Sequence, residues 1–311
     1  MTVRLLTYNV RYFGHALKGL ASTAASKRNI AQALATLDDL PDLIALQEVE
    51  TQSVRAGFAH RGGQANETQL DAFLRHLSAA LKHRGVKMPY QSWYFPAHVY
   101  RLGRIRLYTT GLAMLVNSSR LHVIGDNQDS PHSITHHRSE RLRRVKQTRI
   151  AAHLALETDA SKRFHVFNTH LSLPTPWAKE FWSQRKKMGH GANQLAEAKA
   201  VSGYASQIAG AEPYLVVGDF NSAPATPVYE YLTKEAKLQG AQQVLAQIDA
   251  RQPDSFSTAG FMALRMHLDH VFGGGKIEFV DLDGTYPFAD ERSAFAGLSD
   301  HVPLITRFEV G

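Results

Sequence analysis

Cysteine is absent from all 311 residues. That excludes disulfides, a thiolate nucleophile and cysteine-ligated zinc, so any metal must rest on oxygen or imidazole ligands. No run approaches the roughly 20 apolar residues that cross a bilayer. The first residues, Met1 to Leu6, lack a charged region followed by an apolar stretch of signal-peptide length. Integral membrane association is therefore not expected, and the cytoplasm is the expected compartment. No internal repeat or low-complexity linker divides the chain, which predicts one domain over residues 1–311, and no obligate protein partner is evident.

What is present is ordinary globular material with a basic bias. Hydrophobic residues make up 44% and charged residues 20%, enough apolar content for a sizeable core. The net charge of +7 favours an anionic partner: nucleic acid, a phosphorylated small molecule or an acidic membrane surface.

Strand-like and helical patterns alternate along the chain. Strands are predicted at Val3–Val10, Asp42–Val49, Ser92–Phe95, Gly111–Val116, Arg149–Leu156, Phe164–Thr169, Tyr214–Val217, Leu268–Phe272, Ile277–Leu282 and Val302–Phe308. Helices are predicted at Ser26–Leu37, from about Glu67 to Lys82 and at Ala192–Ala209. Thr226-Pro227 has the form of an N-cap followed by proline in the first helical position. The pattern predicts an α/β fold of two packed sheets with helices outside.

Polar residues stand where the apolar strands end. Asn9 closes the first strand, and Glu48 follows the run Leu43-Ile44-Ala45-Leu46. Asn168-Thr169-His170 closes another strand, and Gly218-Asp219-Phe220-Asn221 follows Tyr214-Leu215-Val216-Val217. Asp269-His270 and Ser299-Asp300-His301 complete the series. Each alone reads as a turn former or a solvated strand end. A carboxylate ending a buried strand is costly unless solvated, paired or metal-bound. Together the set holds what phosphoester hydrolysis needs: hard oxygen ligands in Glu48 and Asp300 beside Asn9, imidazoles in His170 and His301, and carboxylates in Asp219 and Asp269 to orient or activate them. Oxygen ligation suits magnesium or manganese better than zinc.

These six segments, in this order from Asn9 to Pro303, resemble the endonuclease/exonuclease/phosphatase superfamily, with its deoxyribonuclease-like fold. The resemblance implies a four-layered α/β sandwich, two mixed β-sheets face to face with helices outside. It also implies a metal-dependent phosphoesterase using single-step in-line attack by water, with one or two metals. Glu48 would be the principal metal ligand, with Asn9 and Asp300 completing the site. His301, held in its tautomer by Asp269, would be the general base or a phosphate contact. Asp219 and Asn221 would position the attacking water and the phosphate, with Asp219 the rival base. His170 matches a phosphate-contacting histidine of deoxyribonuclease-like and sphingomyelinase-like members. Abasic-site endonucleases generally carry tyrosine there, which argues against that role. His270, next to Asp269, is expected to be structural.

Three stretches lack regular patterning: Ala56–Gln64, Gly125–Lys146 and Pro174–Gly191. Arg141, Arg143, Arg144 and Lys146 form either a solvated loop or a phosphate patch, and Arg149 is expected in an ion pair near the site. Trp177, Phe181 and Trp182 interleave with Lys179, Arg185, Lys186 and Lys187, which suits nucleic-acid stacking, a membrane interface or a packed flap. Asn168, Arg149, Trp177 and His190 are the candidate substrate contacts, and Asn193, like His190, is placed within reach of substrate. His132, His136 and His137 read as surface histidines. The leading expectation is a nuclease or related phosphodiesterase with nucleic acid as substrate. The alternatives are a sphingomyelinase-like or other lipid or small-molecule phosphoesterase, and an inactive nucleic-acid-binding protein. Arg265-Met266-His267-Leu268 lacks the tryptophan and cysteine of an inositol-phosphatase signature.

Overall fold

Alternation along the strands sorts the apolar side chains into three cores, and three cores require four layers. On the first strand, β1 (Thr2–Asn9), Val3 and Leu5 point one way and Leu6 and Tyr8 the other. The computed structural model describes residues 1–11, 22–53, 68–102, 105–136, 148–174, 188–245, 256–261 and 264–311.

Six strands form the first sheet, in the order β14 (Ile277–Asp281), β15 (Leu304–Val310), β1, β2 (Leu43–Ser53), β4 (Ile105–Asn117) and β3 (Tyr90–Leu102). The second runs β10 (Gln239–Gly240), β13 (Asp269–Gly274), β9 (Tyr214–Asp219), β8 (Arg163–His170), β7 (Ile150–Thr158) and β5 (Leu121–Asp126), with β6 (His132–Ser133) also paired to β7. Both sheets are mixed: β1 is parallel to β2 and β8 to β9, while β15 and β13 run antiparallel to their neighbours.

The central core lies between the sheets, where Leu5, Ala45 and Met114 meet Leu154, Val166, Leu215 and Val271. Outside the first sheet, Leu6, Ile44 and Leu46 pack against α1 (Ser22–Ala35) and α2 (Gln69–His83) through Ile30, Leu34, Phe73, Leu77 and Leu81. The start of α2 is set by Thr68, whose hydroxyl accepts from the Asp71 amide while Asp71 accepts from the Thr68 amide, a capping box. Outside the second sheet, Phe167, Val216 and Phe272 pack against α3 (Ala192–Ala209) through Ala198, Val201 and Ala205. The fold is therefore the four-layered α/β sandwich expected from the sequence.

The main elements fall where the periodicity predicts them, and α3 matches from end to end. The second helix begins at Gln69 rather than Glu67, because its capping box starts at Thr68, which is the N-cap. Pro227 opens α4 (Pro227–Glu230), but the Thr226 hydroxyl bonds to the Ala223 carbonyl and caps no helix amide. Strand β5 and the pair β11 (Ala259–Phe261) and β12 (Leu264–Met266) were not predicted. Trp177 and the basic stretch through Lys146 lie outside the described residues, as do Phe181, Trp182 and His137. Among the described residues, no helix is long and apolar enough to cross a membrane.

Candidate active site

Strand direction and register bring the polar strand ends to one rim. Parallel pairing sets the end of β1 beside the middle of β2, Asn9 opposite Gln47 with Glu48 next in the chain, and brings the ends of β8 and β9 together, His170 opposite Asp219. Antiparallel β13 starts at the same rim, Asp269 opposite Asp219, and His301 precedes β15, whose Leu304 pairs with Thr7.

Two local distortions aim the side chains. Between Leu46 and Val49, β2 carries one residue more than β4, and Glu48 in this bulge has φ +56°. That left-handed conformation costs a non-glycine residue roughly 1–2 kcal/mol, and bulges beside active sites commonly re-aim a side chain. Gly218 has φ +134°, and a Cβ there would come within 2.0 Å of the Thr169 carbonyl oxygen. Glycine thus lets β9 approach β8 closely just before Asp219.

Asn9 links the two sheets: its Nδ2 donates to Asp219 Oδ2 at 3.0 Å and lies 3.4 Å from Glu48 Oε1. Asp219 also accepts the Asn221 amide at 2.9 Å, and the Asn221 side chain donates to the Leu171 carbonyl. His170 Nε2 stands 3.4 Å from Asp219 and 3.8 Å from Glu48. His301 Nδ1 bonds to Asp269 Oδ2 at 2.8 Å, leaving Nε2 facing Asp219 at 3.8 Å. Asp300 is beside this group, 27% exposed, with Arg11 against it at 2.5 Å.

Burial dominates the electrostatics. It raises the Glu48 carboxyl above its ordinary value, against the pull of His301 and Arg149. Burial, with Arg149 and His301, holds His170 well below the usual histidine range, so its ring is neutral. Burial opposes charge on His301 too, yet Asp269, Asp219 and Asp300 outweigh it and push the imidazole up to about 10. Asp219 is raised to about 7 by burial, with His301 pulling down and Asp269 pushing up.

Asp219, Asp269 and His301 lie close enough to form a metal-sized group. The 2.8 Å bond between Asp269 and His301 occupies the facing oxygen and ring nitrogen, so these two atoms are engaged with each other rather than open to a metal. Glu48 and Asp300 fit a divalent cation better. They offer hard oxygens, they retain 18% and 27% side-chain exposure, and a cation relieves the cost of burying the Glu48 charge.

Of the candidate substrate contacts, Arg149 is close to the cluster. It is 9% exposed, shares a pocket lining with Glu48, Gly111 and His170, and has no hydrogen-bond partner for Nε among the described residues. Asn168 is different: fully buried, it accepts from Gln47 and donates to the Leu46 and Ala113 carbonyls, tying one sheet to the other. His190 is exposed in the turn before α3. His270, buried, bonds to the Ser222 carbonyl and packs among aromatic rings, as a structural residue does.

Sequence reasoning missed four residues that shape the site. Arg11 faces Asp300. Ser299 donates to the Asn9 carbonyl. Gln194 on α3 donates to the Asn221 carbonyl at 2.7 Å, fixing that loop. Thr258 donates to Asp269 at 2.7 Å. Ser299 stands inside the Ser299-Asp300-His301 segment, with no role of its own expected, and Arg11 lies two residues from Asn9, so both were within reach of sequence reading, whereas Gln194 and Thr258 carry no local signal.

Residues 6–301 match the model of the endonuclease/exonuclease/phosphatase family. Among solved structures, the human Nocturnin catalytic domain with bound sulfate superposes with a TM-score of 0.63 at 19% identity, over 100% of this chain and 95% of that one. ANGEL2, a 2′,3′-cyclic phosphatase, gives 0.65 at 14% identity, over 99% and 95%. A mannosyl-6-phosphatase from Bacteroides thetaiotaomicron gives 0.59 at 14% identity, over 99% of both chains. Compared by sequence with curated proteins, the chain matches none. At these identities the superpositions establish the fold, while the match over nearly the whole length establishes the kinship: the chain belongs to the endonuclease/exonuclease/phosphatase family.

Proposed function

We propose that the protein is a divalent-metal-dependent phosphoester hydrolase, and that it cleaves phosphodiesters of nucleic acid. One observation carries the reaction class: two carboxylates and two histidines from both sheets meet around Asn9, with the Asp269–His301 pair directed at Asp219. The net charge of +7 and the buried cationic Arg149 support a polyanionic substrate.

In this reading Glu48 and Asp300, with Asn9 beside them, hold magnesium or manganese. The bound ion supplies Lewis-acid stabilisation of charge developing on the phosphoryl oxygens. Asp219, pinned by the Asn9 side chain and the Asn221 amide, orients the attacking water and takes its proton. His301, charged and held through Nδ1 by Asp269, presents Nε2–H to a phosphoryl oxygen. Neutral His170 offers a second donor on the Glu48 side, and Arg149 supplies fixed positive charge beside His170 and Glu48.

The other reading, a phosphomonoesterase or small-molecule phosphodiesterase, is favoured by two of the superposed structures, the mannosyl-6-phosphatase and the 2′,3′-cyclic phosphatase. A single panel separates the readings: purified protein with magnesium or manganese, tested on plasmid DNA, single-stranded DNA, RNA, sphingomyelin, a sugar phosphate and a 2′,3′-cyclic nucleotide, beside His301→Ala. Nucleic-acid cleavage lost in the variant supports the proposal. Turnover of only the small substrates or the lipid overturns the substrate assignment. Salt-dependent DNA binding without cleavage of any substrate overturns the enzyme assignment.

A further inference from the structure

The Asp269–His301 pair is held by a residue that neither its position nor its neighbours in the chain single out. We infer that Thr258 is a positioning residue for the reaction, fixing the Asp269 carboxylate so that His301 keeps its Nδ1 bonded and its Nε2 facing Asp219. This inference rests on the reading of Asp269 and His301 as active-site groups.

The hydroxyl geometry leaves no ambiguity. A threonine hydroxyl has one proton to give and two lone pairs to receive. Thr258 Oγ1 accepts the Leu268 amide at 2.9 Å and the Asp269 amide at 3.0 Å. With both lone pairs filled, the single O–H points to Asp269 Oδ2, 2.7 Å away. That oxygen is the one His301 Nδ1 meets at 2.8 Å.

The other carboxylate oxygen, Oδ1, is buried and has no hydrogen-bond partner among the described residues. Among the described residues, only the Thr258 and His301 donors on Oδ2 therefore hold the rotation of the carboxylate about its Cβ–Cγ bond. Without Thr258 the two oxygens become interchangeable to His301, and its ring loses a fixed acceptor.

The backbone of Thr258 extends the clamp to the other member of the pair. Its carbonyl accepts the Val302 amide at 2.8 Å, and the next residue, Ala259, bridges to His301. One residue thus grips the strand that bears Asp269 through its side chain and the segment that bears His301 through its main chain. It is itself anchored, since its amide donates to the Met266 carbonyl at 2.9 Å. Thr258 is wholly buried, so its hydroxyl is out of reach of substrate and acts only through Asp269.

The test compares Thr258→Val, which keeps the shape and removes the hydroxyl, with Thr258→Ser, which keeps the hydroxyl. Thr258→Ala stands in if the valine variant does not fold by circular dichroism. On bis(p-nitrophenyl) phosphate with manganese, the valine variant is expected to lose roughly 10–100-fold in kcat, by analogy with loss of a partner that orients a metal-ligating side chain. KM should stay within about twofold, and serine should restore the rate. In a His301→Ala background the same substitution should cost little more, because a residue acting through the pair has nothing left to position. Equal losses in both backgrounds, or no loss in either, would overturn the inference.

A second readout needs no turnover. The ring nitrogen shifts of His301, read through its carbon-bound protons in nitrogen-15-labelled protein and assigned with His301→Ala, should move in the valine or alanine variant and return in serine. Unchanged shifts would overturn the positioning role. If the shifts move while the wild type hydrolyses no phosphoester, the positioning stands and the enzymatic reading fails.

Discussion

Strand β8 carries a histidine near its start and another at its end, and the two settings could hardly differ more. Near its start, His165 has both ring nitrogens engaged: Nδ1 with His153 Nε2 at 2.8 Å and Nε2 with Glu212 at 2.7 Å. His153 in turn stacks on Phe167 with ring centroids 4.6 Å apart. At its end, His170 has its nearest carboxylates at 3.4 Å and 3.8 Å and shares them with Asn9 and His301. The first arrangement is a closed chain of satisfied groups, while the second is a set of charges facing one another across a shared space. The difference teaches that a buried histidine points to chemistry when its polar neighbours remain underbonded and several carboxylates converge on it.

The strongest way to break this contrast is to remove the proposed metal carboxylate. Glu48→Gln keeps the shape and removes the charge, and metal-dependent phosphodiester hydrolysis should fall about thousandfold, since a metal contributes several kcal/mol. Manganese titration followed by electron paramagnetic resonance should show weakened binding in parallel. Next, His170→Ala should cost roughly 10²-fold in kcat, as loss of one donor to a developing charge does. Steady-state kinetics at saturating manganese would read it.

Asn168→Ala probes the tie between the sheets. It removes three buried hydrogen bonds and should destabilise the fold by about 2–3 kcal/mol in urea unfolding, while the kcat of the folded fraction stays near wild type. A large kcat loss at unchanged stability would move Asn168 from scaffold to chemistry.

The satisfied cluster predicts a pH effect on stability. Burial and the neighbouring His165, partly offset by Asp126, lower His153 from 6.5 to about 4. Between those values the unfolded chain binds more protons than the folded one. Stability should therefore fall as pH drops from about 6.5 toward 4, by something on the order of 2 kcal/mol given the ring's residual exposure. Urea midpoints at pH 7 and pH 4.5 should show the fall, and His153→Gln should flatten it.

Much of this was legible in the sequence, and for physical reasons. Strands such as Tyr214-Leu215-Val216-Val217 and helices such as α3 declare themselves through apolar patterning, and a polar residue closing a buried run is conspicuous at Glu48 and Asp219. Their meeting in space was implied by the family resemblance alone, because it depends on the register of β8, β9 and β13. Strand β5 escaped because its burial alternates over only six residues, with His122, Ile124 and Asp126 on the open side. Thr258 escaped because its role depends on two amides ten and eleven positions away. The bulge at Glu48 and the left-handed turn at Asn221 likewise leave no mark in the order of residue types.

The most direct single measurement is manganese-dependent hydrolysis of a generic phosphodiester by Glu48→Gln and His165→Leu, side by side and corrected for folded fraction. The account predicts a loss of about thousandfold in the first. In the second it predicts a rate within about twofold of wild type, with a stability cost of about 1–3 kcal/mol for the broken chain. Undiminished hydrolysis by Glu48→Gln, or a comparable collapse in His165→Leu, would contradict it.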